Sequence, residues 1–361
     1  MKVAVPLLNS VLQVNRVGGR AGFRFVRIPI SGLLRPRSLV VCGGLAAATF
    51  LAFCSGLAIG DFPLSLNNVV AALLGTGDPG ALFVVRELRL PRALVGLLAG
   101  LAFGVAGAIY QTTTRNPLAS PDMIGISQGA AVAVVAGIVF DLGVGTQVLG
   151  VAGAIGAALL IYLLAWKGNA TGYRIVLVGV GIAWMCASLT DFLLVQAQLT
   201  DAQQALGWLV GNLNVRSWSQ VTPLALALLV LVPIALLLSR GMRVLQLGDD
   251  VASGLGTPIR SLRVALLVAG AAMVAFATAA AGPIAFVALT APQIAQRLVR
   301  LPWPPLVASG LTGALVVLTA DLLARTLVTD IQLPVGVVTG IFGAPVLLWL
   351  LLKSDGERSQ L

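Results

Sequence analysis

Long stretches without a charged residue dominate this sequence and restrict what it can fold into. A helix needs about 20 apolar residues to cross a bilayer, so each such stretch predicts one membrane-spanning helix. Six stretches contain no Asp, Glu, Lys or Arg, and they cover residues 39–60, 93–111, 123–140, 148–166, 221–238 and 331–352. Two more spans, 175–197 and 305–328, carry charges only in their second halves.

The uncharged run 264–296 is too long for a single crossing. A helix over this run would be about 50 Å long, whereas the hydrocarbon core is about 30 Å thick. Gly282-Pro283 interrupts the run, which predicts one helix at 264–281 and a short second helix at 283–298. We therefore expect an all-α, polytopic membrane protein with about ten transmembrane helices.

The composition excludes the soluble alternatives. Hydrophobic residues make up 58% of the 361-residue chain and charged residues 10%, whereas soluble domains usually carry about 25% charged residues. A soluble enzyme, a disordered chain and a nucleic-acid-binding domain are therefore excluded, although the pI is about 10.7.

The distribution of basic residues predicts the orientation of the chain. With ten spans and the N-terminus inside, 18 of the 23 Lys and Arg residues lie in inside segments, which favours cytoplasmic termini. Residues 1–38 then form a basic cytoplasmic arm, and residues 353–361 form a cytoplasmic tail. Residues 39–352 form the transmembrane domain, with a cytoplasmic loop at 239–263. We expect the arm to lie on anionic headgroups, and a flexible extension without a defined contact is an equal alternative.

Missing residues exclude several kinds of chemistry. The chain has no His, which removes the commonest metal ligand and the usual proton shuttle near neutral pH. It has no GxxxxGK[ST] phosphate loop and should not hydrolyse ATP itself. Cys42, Cys54 and Cys186 lie in apolar stretches outside any CxxC pair, so we expect buried free thiols. We expect no catalytic residue, metal or cofactor on this chain.

Two segments place arginines on the predicted outer side, against the positive-inside preference. In RELRLPR, residues 86–92, one Glu cannot neutralise three Arg, so docking of an acidic partner is favoured over local pairing and headgroup contact. In ADLLAR, residues 320–325, Asp321 and Arg325 are spaced i,i+4, and that spacing by itself favours a helix salt bridge.

The segment QTTTRNPLASPDMIGISQG, residues 111–129, forms the predicted inside turn between the second and third spans. Ser120 or Asp122 is expected to cap the third span. Ser127, Gln128 and Gly129 then either line a polar path or serve helix–helix packing, and their chemistry favours neither.

The segment GDDVASGLG, residues 248–256, predicts a short helix in the cytoplasmic loop. Its two aspartates suit a helix N-terminus by capping and by the helix dipole, and its last glycine suits the end. Val251 and Leu255 share a face, which forms an apolar stripe suited to a groove on a partner. Packing on the membrane face is the alternative, which composition slightly favours.

Together these segments resemble the FecCD family of ATP-driven importer permeases, from about residue 40 to 352. Four ordered motifs carry the resemblance: RLPRALVGLLAGLAFGVAGAIYQTTTRNPLASPDMIGISQGA (89–130), LGDDVASGLGTPI (247–259), GPIAFVALTAPQIAQRLV (282–299) and LPVGVVTGIFGAPVLLWLL (333–351). It implies uptake of iron–siderophore complexes, haem or vitamin B12 between two permease subunits. It also implies two cytoplasmic ATPase subunits, which bind ATP and Mg, and an external substrate-binding protein.

The resemblance implies roles for particular residues. Docking of the binding protein falls on Arg89, Arg92 and Arg325. Coupling to the ATPase falls on the loop 248–256, and its residues are Asp249, Asp250, Val251, Ala252, Leu255 and Gly256. We place a translocation path at Asn116, Pro117, Ser127, Gln128 and Gly129.

The sequence departs from the family pattern at two positions. Gln293 stands where members often have His, and Gln332 stands where they often have Glu. An amide keeps the hydrogen bonding of these groups but cannot titrate.

From all of this we expect a multi-pass permease subunit of the cytoplasmic membrane that imports a ferric siderophore. One alternative is the same type of permease for vitamin B12 or haem. The other is an ATP-independent secondary transporter, which is weakened because Asp191 and Asp321 lie in the outer parts of their spans.

Overall fold

The computed structural model describes residues 12–17, 20–25, 31–33, 36–60, 62, 64–166, 172–327 and 332–358. These ranges contain fourteen α-helices, numbered here in chain order. The first seven are α1 Pro36–Ala58, α2 Leu66–Leu74, α3 Pro79–Phe83, α4 Leu90–Thr114, α5 Ile126–Val139, α6 Thr146–Trp166 and α7 Gly172–Gln196. The other seven are α8 Leu199–Leu209, α9 Trp218–Leu245, α10 Asp249–Gly254, α11 Ile259–Ala281, α12 Val287–Val299, α13 Leu306–Thr326 and α14 Val335–Arg358.

Ten of these helices lie on the ten predicted spans, and they are α1, α4 to α7, α9 and α11 to α14. Seven of the ten are long and apolar enough to cross a membrane, while α5 and the apolar part of α14 are shorter. The structure confirms that the run 264–296 is interrupted, because α11 ends at Ala281 and α12 begins at Val287. With 13 residues, α12 is about 20 Å long, and it begins four residues after the start of the helix predicted at 283–298.

Three short strands precede α1 and were not predicted from the sequence. They are β1 Leu12–Val17, β2 Arg20–Phe25 and β3 Ser31–Leu33, and they form an antiparallel sheet in chain order. Residues 36–38 of the predicted arm belong to α1, and its remaining residues lie outside the described ranges. From residue 36 onward, the regular structure of the described residues is helical, in agreement with the predicted all-α transmembrane domain.

The start of α5 differs from the prediction. We expected a polar side chain to cap the third span, but α5 begins at Ile126 without a side-chain cap. Gly125 precedes it with φ 88°, a left-handed conformation that glycine adopts without steric cost. Of the two predicted caps, Ser120 and Asp122, the second instead accepts a hydrogen bond from Ser127 Oγ at 2.6 Å.

Short helices that the sequence analysis missed fill connections between the spans. The side chains of Ser65 and Asp78 cap α2 and α3 by accepting hydrogen bonds from backbone N–H groups at 3.3 and 3.1 Å. A π-helical segment, Val84–Arg89, joins α3 to α4, so helical structure continues from residue 79 to 114. The arginine-rich segment is therefore helical rather than a loop.

The helix α4 defines the two ends of the bundle. Its 25 residues extend for about 37 Å, with Arg92 in the first turn and Arg115 just after the last residue. Arg92 forms an ion pair with Asp321 of α13, and Arg115 forms one with Asp249 of α10. We call these two ends the arginine end and the α10 end.

Small residues allow α4 to lie at the centre of the bundle, where it contacts α9, α11, α12 and α13. Gly100 and Gly104 meet the backbone of α13, and Gly107 meets the backbone of α12. Because lipid is as apolar as the helices, close backbone approach of this kind is a main source of helix association in a membrane.

A methyl group at position 104 should push α4 away from α13. A Cβ on Gly104 would overlap the backbone carbonyl of Ser309, which cannot move without shifting the whole helix. We expect Gly104→Ala to destabilise the protein by about 1–3 kcal/mol, measured by thermal unfolding in detergent. The matched control is Gly156→Ala on α6, because no atom lies within 4 Å of that new Cβ. Equal unfolding midpoints for the two variants would contradict the prediction.

Candidate functional site

A cavity of about 660 Å³ lies between α5, α7, the connection from α11 to α12, and the first turn of α14. Its polar lining side chains come from the turn before α5, from α5 and from α7, and they are Ser120, Asp122, Ser127, Gln128, Thr190 and Asp191. Most of its other lining residues are apolar, including Ile284, Phe286 and Leu289. Among the described residues that line the cavity, none is Lys or Arg. This wall can hold a bulky solute through apolar contact and hydrogen bonds.

Ser127 links the turn before α5 to α11. Its Oγ donates a hydrogen bond to Asp122 Oδ1 at 2.6 Å and lies 3.4 Å from Thr278 Oγ1. From the sequence, Asp122 was predicted only as a helix cap, and its position in the cavity wall was not predicted.

The structure separates the five predicted path residues. Ser127 and Gln128 line the cavity, whereas Asn116, Pro117 and Gly129 are not among its lining residues. Asn116 and Pro117 are exposed near the α10 end, where Asn116 Oδ1 accepts a backbone hydrogen bond in a turn. Gly129 instead allows α5 to approach α6, because a Cβ there would collide with Gly153. A role in translocation stays a prediction for all five.

At the arginine end, Arg89 binds the last carbonyls of α1. Its Nη1 donates to Leu57 O at 2.9 Å and to Ala58 O at 3.0 Å, and the residue is only 7% exposed. The final carbonyls of a helix lack intrahelical partners, so a guanidinium group there satisfies them and favours the helix dipole. Arg86 does the same for the end of α2, with donor–acceptor distances of 2.8 and 2.9 Å.

Asp321 holds the other two predicted docking arginines. It lies 2.9 Å from Arg92 and 2.9 Å from Arg325, and the side chains of Asp321, Arg92 and Arg325 are 3%, 12% and 9% exposed. Arg325 also donates to carbonyls at the end of α1, at 3.3 Å. Arg92 Nη1 donates to Gln332 Oε1 at 3.1 Å, just before α14. The cluster therefore joins α1, α4, α13 and the start of α14.

The three predicted docking arginines thus meet at one end of the bundle, and the i,i+4 salt bridge is confirmed. Glu87 and headgroups were the local partners considered from the sequence, whereas the helix carbonyls and the contact of Arg92 with Asp321 were not predicted. Among ion pairs of the described residues, none involves Glu87. Docking of a binding protein stays a prediction.

The substitution Gln332→Glu tests the effect of the glutamate that the family resemblance implies at this position. A carboxylate there would give Arg92 a second anionic partner, 3.1 Å from its Nη1. We expect Gln332→Glu to raise the thermal unfolding midpoint in low salt by a small amount, equivalent to about 0–1 kcal/mol. The gain should disappear at high salt because exposed charges are screened. A gain that is independent of salt would contradict this explanation.

At the α10 end, the predicted short helix is present as Asp249–Gly254. Its N-cap is a glycine without a side-chain cap, so the capping prediction was wrong, whereas both aspartates lie in the first turn where the dipole favours them. Val251 and Leu255 are 51% and 64% exposed, and Ala252 is fully buried. Gly256 follows the helix with φ 74°. The predicted apolar stripe is therefore exposed in this chain.

Asp249 binds two arginines from other elements. Arg263 Nη2 lies 3.0 Å from its Oδ1 and 3.1 Å from its Oδ2, and Arg115 Nη2 donates to the same Oδ1. Partial burial raises the pKa of Asp249, but the hydrogen bonds and charges of Arg263 and Arg115 outweigh this and hold the pKa below its usual value. Its stabilising contribution is therefore present above about pH 4 and is lost as the pH falls through the lowered pKa.

Residues 48–353 match the sequence model of the FecCD transport family. The chain belongs to this family. It is 39% identical to the ferric enterobactin transport system permease protein FepG of Escherichia coli (strain K12), over 89% of this chain and 98% of that protein. It is also 39% identical to the achromobactin transport system permease protein CbrC of Dickeya dadantii (strain 3937), over 88% and 94% of the two chains.

A solved structure supports the same assignment. An inward-facing conformation described as a metal-chelate type ABC transporter superposes with a TM-score of 0.77, at 26% identity, over 87% of this chain and 99% of that chain. The resemblance that the four motifs indicated is thus confirmed. The chain is a multi-pass membrane permease of the FecCD family with an all-α transmembrane domain.

Gln293, where FecCD members often have His, lies in a network of amides. Its Nε2 donates to Gln111 Oε1 at 2.6 Å, and Gln111 Nε2 donates to Leu289 O at 2.9 Å. The network joins α4 to α12 without an ionisable group. The sequence showed the substitution, but the partner lies 182 residues away and no local spacing indicates it.

Proposed function

We propose that this FecCD permease imports a ferric siderophore across the cytoplasmic membrane, as one subunit of a binding-protein-dependent, ATP-driven importer. FepG and CbrC, which are similar to it over most of their length, are permeases for ferric enterobactin and achromobactin. The observation that carries the proposal is this similarity, and it is supported by the cavity of about 660 Å³, which lies within the usual 300–1,000 Å³ range of ligand sites.

The proposed complex contains two cytoplasmic ATPase subunits, a second permease subunit and an external binding protein. The exposed stripe of Val251 and Leu255 supports ATPase contact at the α10 end. Hydrolysis of ATP with Mg takes place on the ATPase subunits, and this chain binds neither and does no bond chemistry. Rigid-body movement of the spans then switches access to the cavity between the two sides.

The arginine end is the proposed docking site for an acidic binding protein. Arg89, Arg92 and Arg325 bring three positive charges against the single negative charge of Asp321. These side chains are mostly buried by helix carbonyls and Asp321, so we propose that they attract the partner by long-range electrostatic attraction. The exposed Arg86 then supplies a direct contact.

Transport in proteoliposomes tests the proposal. The permease is reconstituted with its second permease and ATPase subunits, and 55Fe-enterobactin is supplied with the binding protein outside. We expect accumulation that requires ATP inside and the binding protein outside. Accumulation driven by a proton or sodium gradient without ATPase subunits would contradict the proposal and indicate a secondary transporter. Preferential uptake of vitamin B12 would contradict the siderophore assignment alone.

Cysteine labelling tests the orientation. Val215 and Leu255 are 96% and 64% exposed, and they lie in connections toward the arginine end and the α10 end. In a background with the three native cysteines replaced, we expect Val215→Cys to react with an impermeant maleimide from outside. Leu255→Cys should react only after the membrane is opened. Labelling of both from the same side would contradict the proposed orientation.

A further inference from the structure

Asp249 does more than begin α10, because it joins elements that are far apart in the sequence. Its carboxylate binds Arg263 of α11 and Arg115, which is 134 residues away at the end of α4. Arg115 also donates to Leu245 O at the end of α9, at 2.8 Å from Nη2 and 3.2 Å from Nε. One carboxylate and one guanidinium group therefore connect α4, α9, α10 and α11 at this end of the bundle.

Arg115 begins a segment that leads directly into the cavity wall. The segment 115–125 follows α4 and contains Ser120 and Asp122, both of which line the cavity. Asp122 in turn accepts the 2.6 Å hydrogen bond from Ser127, which is also in the wall. A continuous series of contacts and covalent bonds thus runs from α10 through Arg115 to the cavity.

We propose that Asp249 is a positioning residue that makes the segment 115–125, and with it the cavity wall at Asp122, move together with α10. This proposal rests on the proposed function, which assigns α10 to the contact with the ATPase but does not say how its displacement reaches the cavity. Charge-assisted hydrogen bonds suit this task, because they are short, directional and about twice as strong as neutral ones. The cluster gives α10 a side-chain connection to α4 that backbone connectivity through α9 and α11 does not supply.

Partial exposure distinguishes this role from ordinary stabilisation of the fold. The Arg115 and Asp249 side chains are 43% and 48% exposed, and exposed ion pairs contribute little to folding stability. Removing the pair should therefore leave the protein folded while α10 and the segment 115–125 move independently. If the pair only stabilised the fold, its removal would lower the stability of the protein and leave the coupled movement unchanged in the molecules that fold.

Spin labels measure the coupled movement directly. Leu118 is 38% exposed on the segment, and Ser253 is exposed on α10, two residues from Val251 and so on a different face. In the otherwise wild-type complex, we expect the distance between labels at Leu118→Cys and Ser253→Cys to be the same with and without ATP. With Arg115→Gln added, we expect that distance to change on ATP binding or its distribution to broaden.

Stimulated ATP hydrolysis provides the second readout. In the reconstituted complex, we expect Arg115→Gln and Asp249→Asn each to reduce stimulation by the loaded binding protein about two- to fivefold, as expected for a partly exposed ion pair. The double variant should be no worse than Asp249→Asn alone, because that change already removes the contact between Asp249 and Arg115. Asp249→Glu should restore part of the stimulation, and Arg243→Gln, which alters an exposed arginine near the end of α9, should behave like the wild type.

Two outcomes separate this inference from the proposed function. If Arg115→Gln retains full stimulation and an ATP-independent label distance, the positioning role is wrong while the proposed function stands. If the wild-type chain neither retains an ATPase subunit nor shows stimulation, the proposed function itself is wrong. Gel filtration of each variant confirms that it is folded before the comparison is made, and Arg115→Gln alone decides the question if Asp249→Asn does not fold.

Discussion

Replacing both Val251 and Leu255 with Asp should detach the ATPase subunit from this permease. Val251 on α10 and Leu255 just after its end are both exposed, while Ala252 is fully buried and anchors the helix to its own chain. Burying a Val or Leu side chain contributes about 1.5–3 kcal/mol, and the substituted carboxylates would enter the contact without a partner. A loss of at least about 3 kcal/mol corresponds to more than a hundredfold weaker association.

The measurement is co-purification of the ATPase subunit and uptake of the iron chelate by the reconstituted complex. A matched control replaces Leu142 and Val144 with Asp, since these side chains are 53% and 45% exposed in the loop between α5 and α6. We expect the control to keep the ATPase. Full transport by the Val251 and Leu255 double variant would show that α10 packs on the membrane face instead.

The spans could be predicted because the bilayer imposes them. Only helices or closed barrels satisfy every backbone group in lipid, so the length of an uncharged run and its interruption at Gly282-Pro283 were sufficient to locate α11 and α12. The short helix α10 was also predictable, because charge at its start and glycine after its end are local signals. The same holds for the pair of Asp321 and Arg325, which a single helical turn brings together.

The contacts of the arginines were not predictable from local sequence. Arg92 and Asp321 are 229 residues apart, and the carbonyl partners of Arg89 belong to α1, more than 30 residues earlier. A backbone carbonyl is present at every residue, so no composition signal marks which carbonyl a guanidinium group will bind. The sequence therefore indicated Glu87 as a local partner, but not the carbonyls that Arg89 contacts or the pairing of Arg92 with Asp321.

The sequence singled out only two of the cavity-lining side chains as candidates for a translocation path, and that role stays a prediction. Ser127 and Gln128 were identified because they follow a turn at the start of a span, whereas Thr190 and Asp191 lie near the end of α7. Packing brings these two elements to one wall, and helical periodicity within one span does not show which other span it will face. For Gly129, helix packing was the alternative to a role in the path, and the missing side chain does allow close contact between α5 and α6.

Replacing Asp321 with Asn should destabilise the arginine end more than the substitution of any exposed residue. The carboxylate is 3% exposed and lies 2.9 Å from both Arg92 and Arg325, so its neutralisation leaves two mostly buried guanidinium groups without an anionic partner. Breaking a buried pair in this way costs about 3–5 kcal/mol. Because α1, α4, α13 and the start of α14 meet at the cluster, the loss should lower the thermal unfolding midpoint of the whole transmembrane domain.

Thermal unfolding in detergent, followed by gel filtration, measures this effect. The control is Asp141→Asn, which neutralises an exposed aspartate between α5 and α6 and should unfold like the wild type. Adding Arg92→Gln and Arg325→Gln to Asp321→Asn should recover part of the lost stability, because the uncompensated charges are then removed together with the carboxylate. The triple variant should nevertheless respond less to the binding protein, since it lacks the positive charge proposed to attract it. If Asp321→Asn and Asp141→Asn unfold at the same temperature, Asp321 does not hold this end of the bundle together.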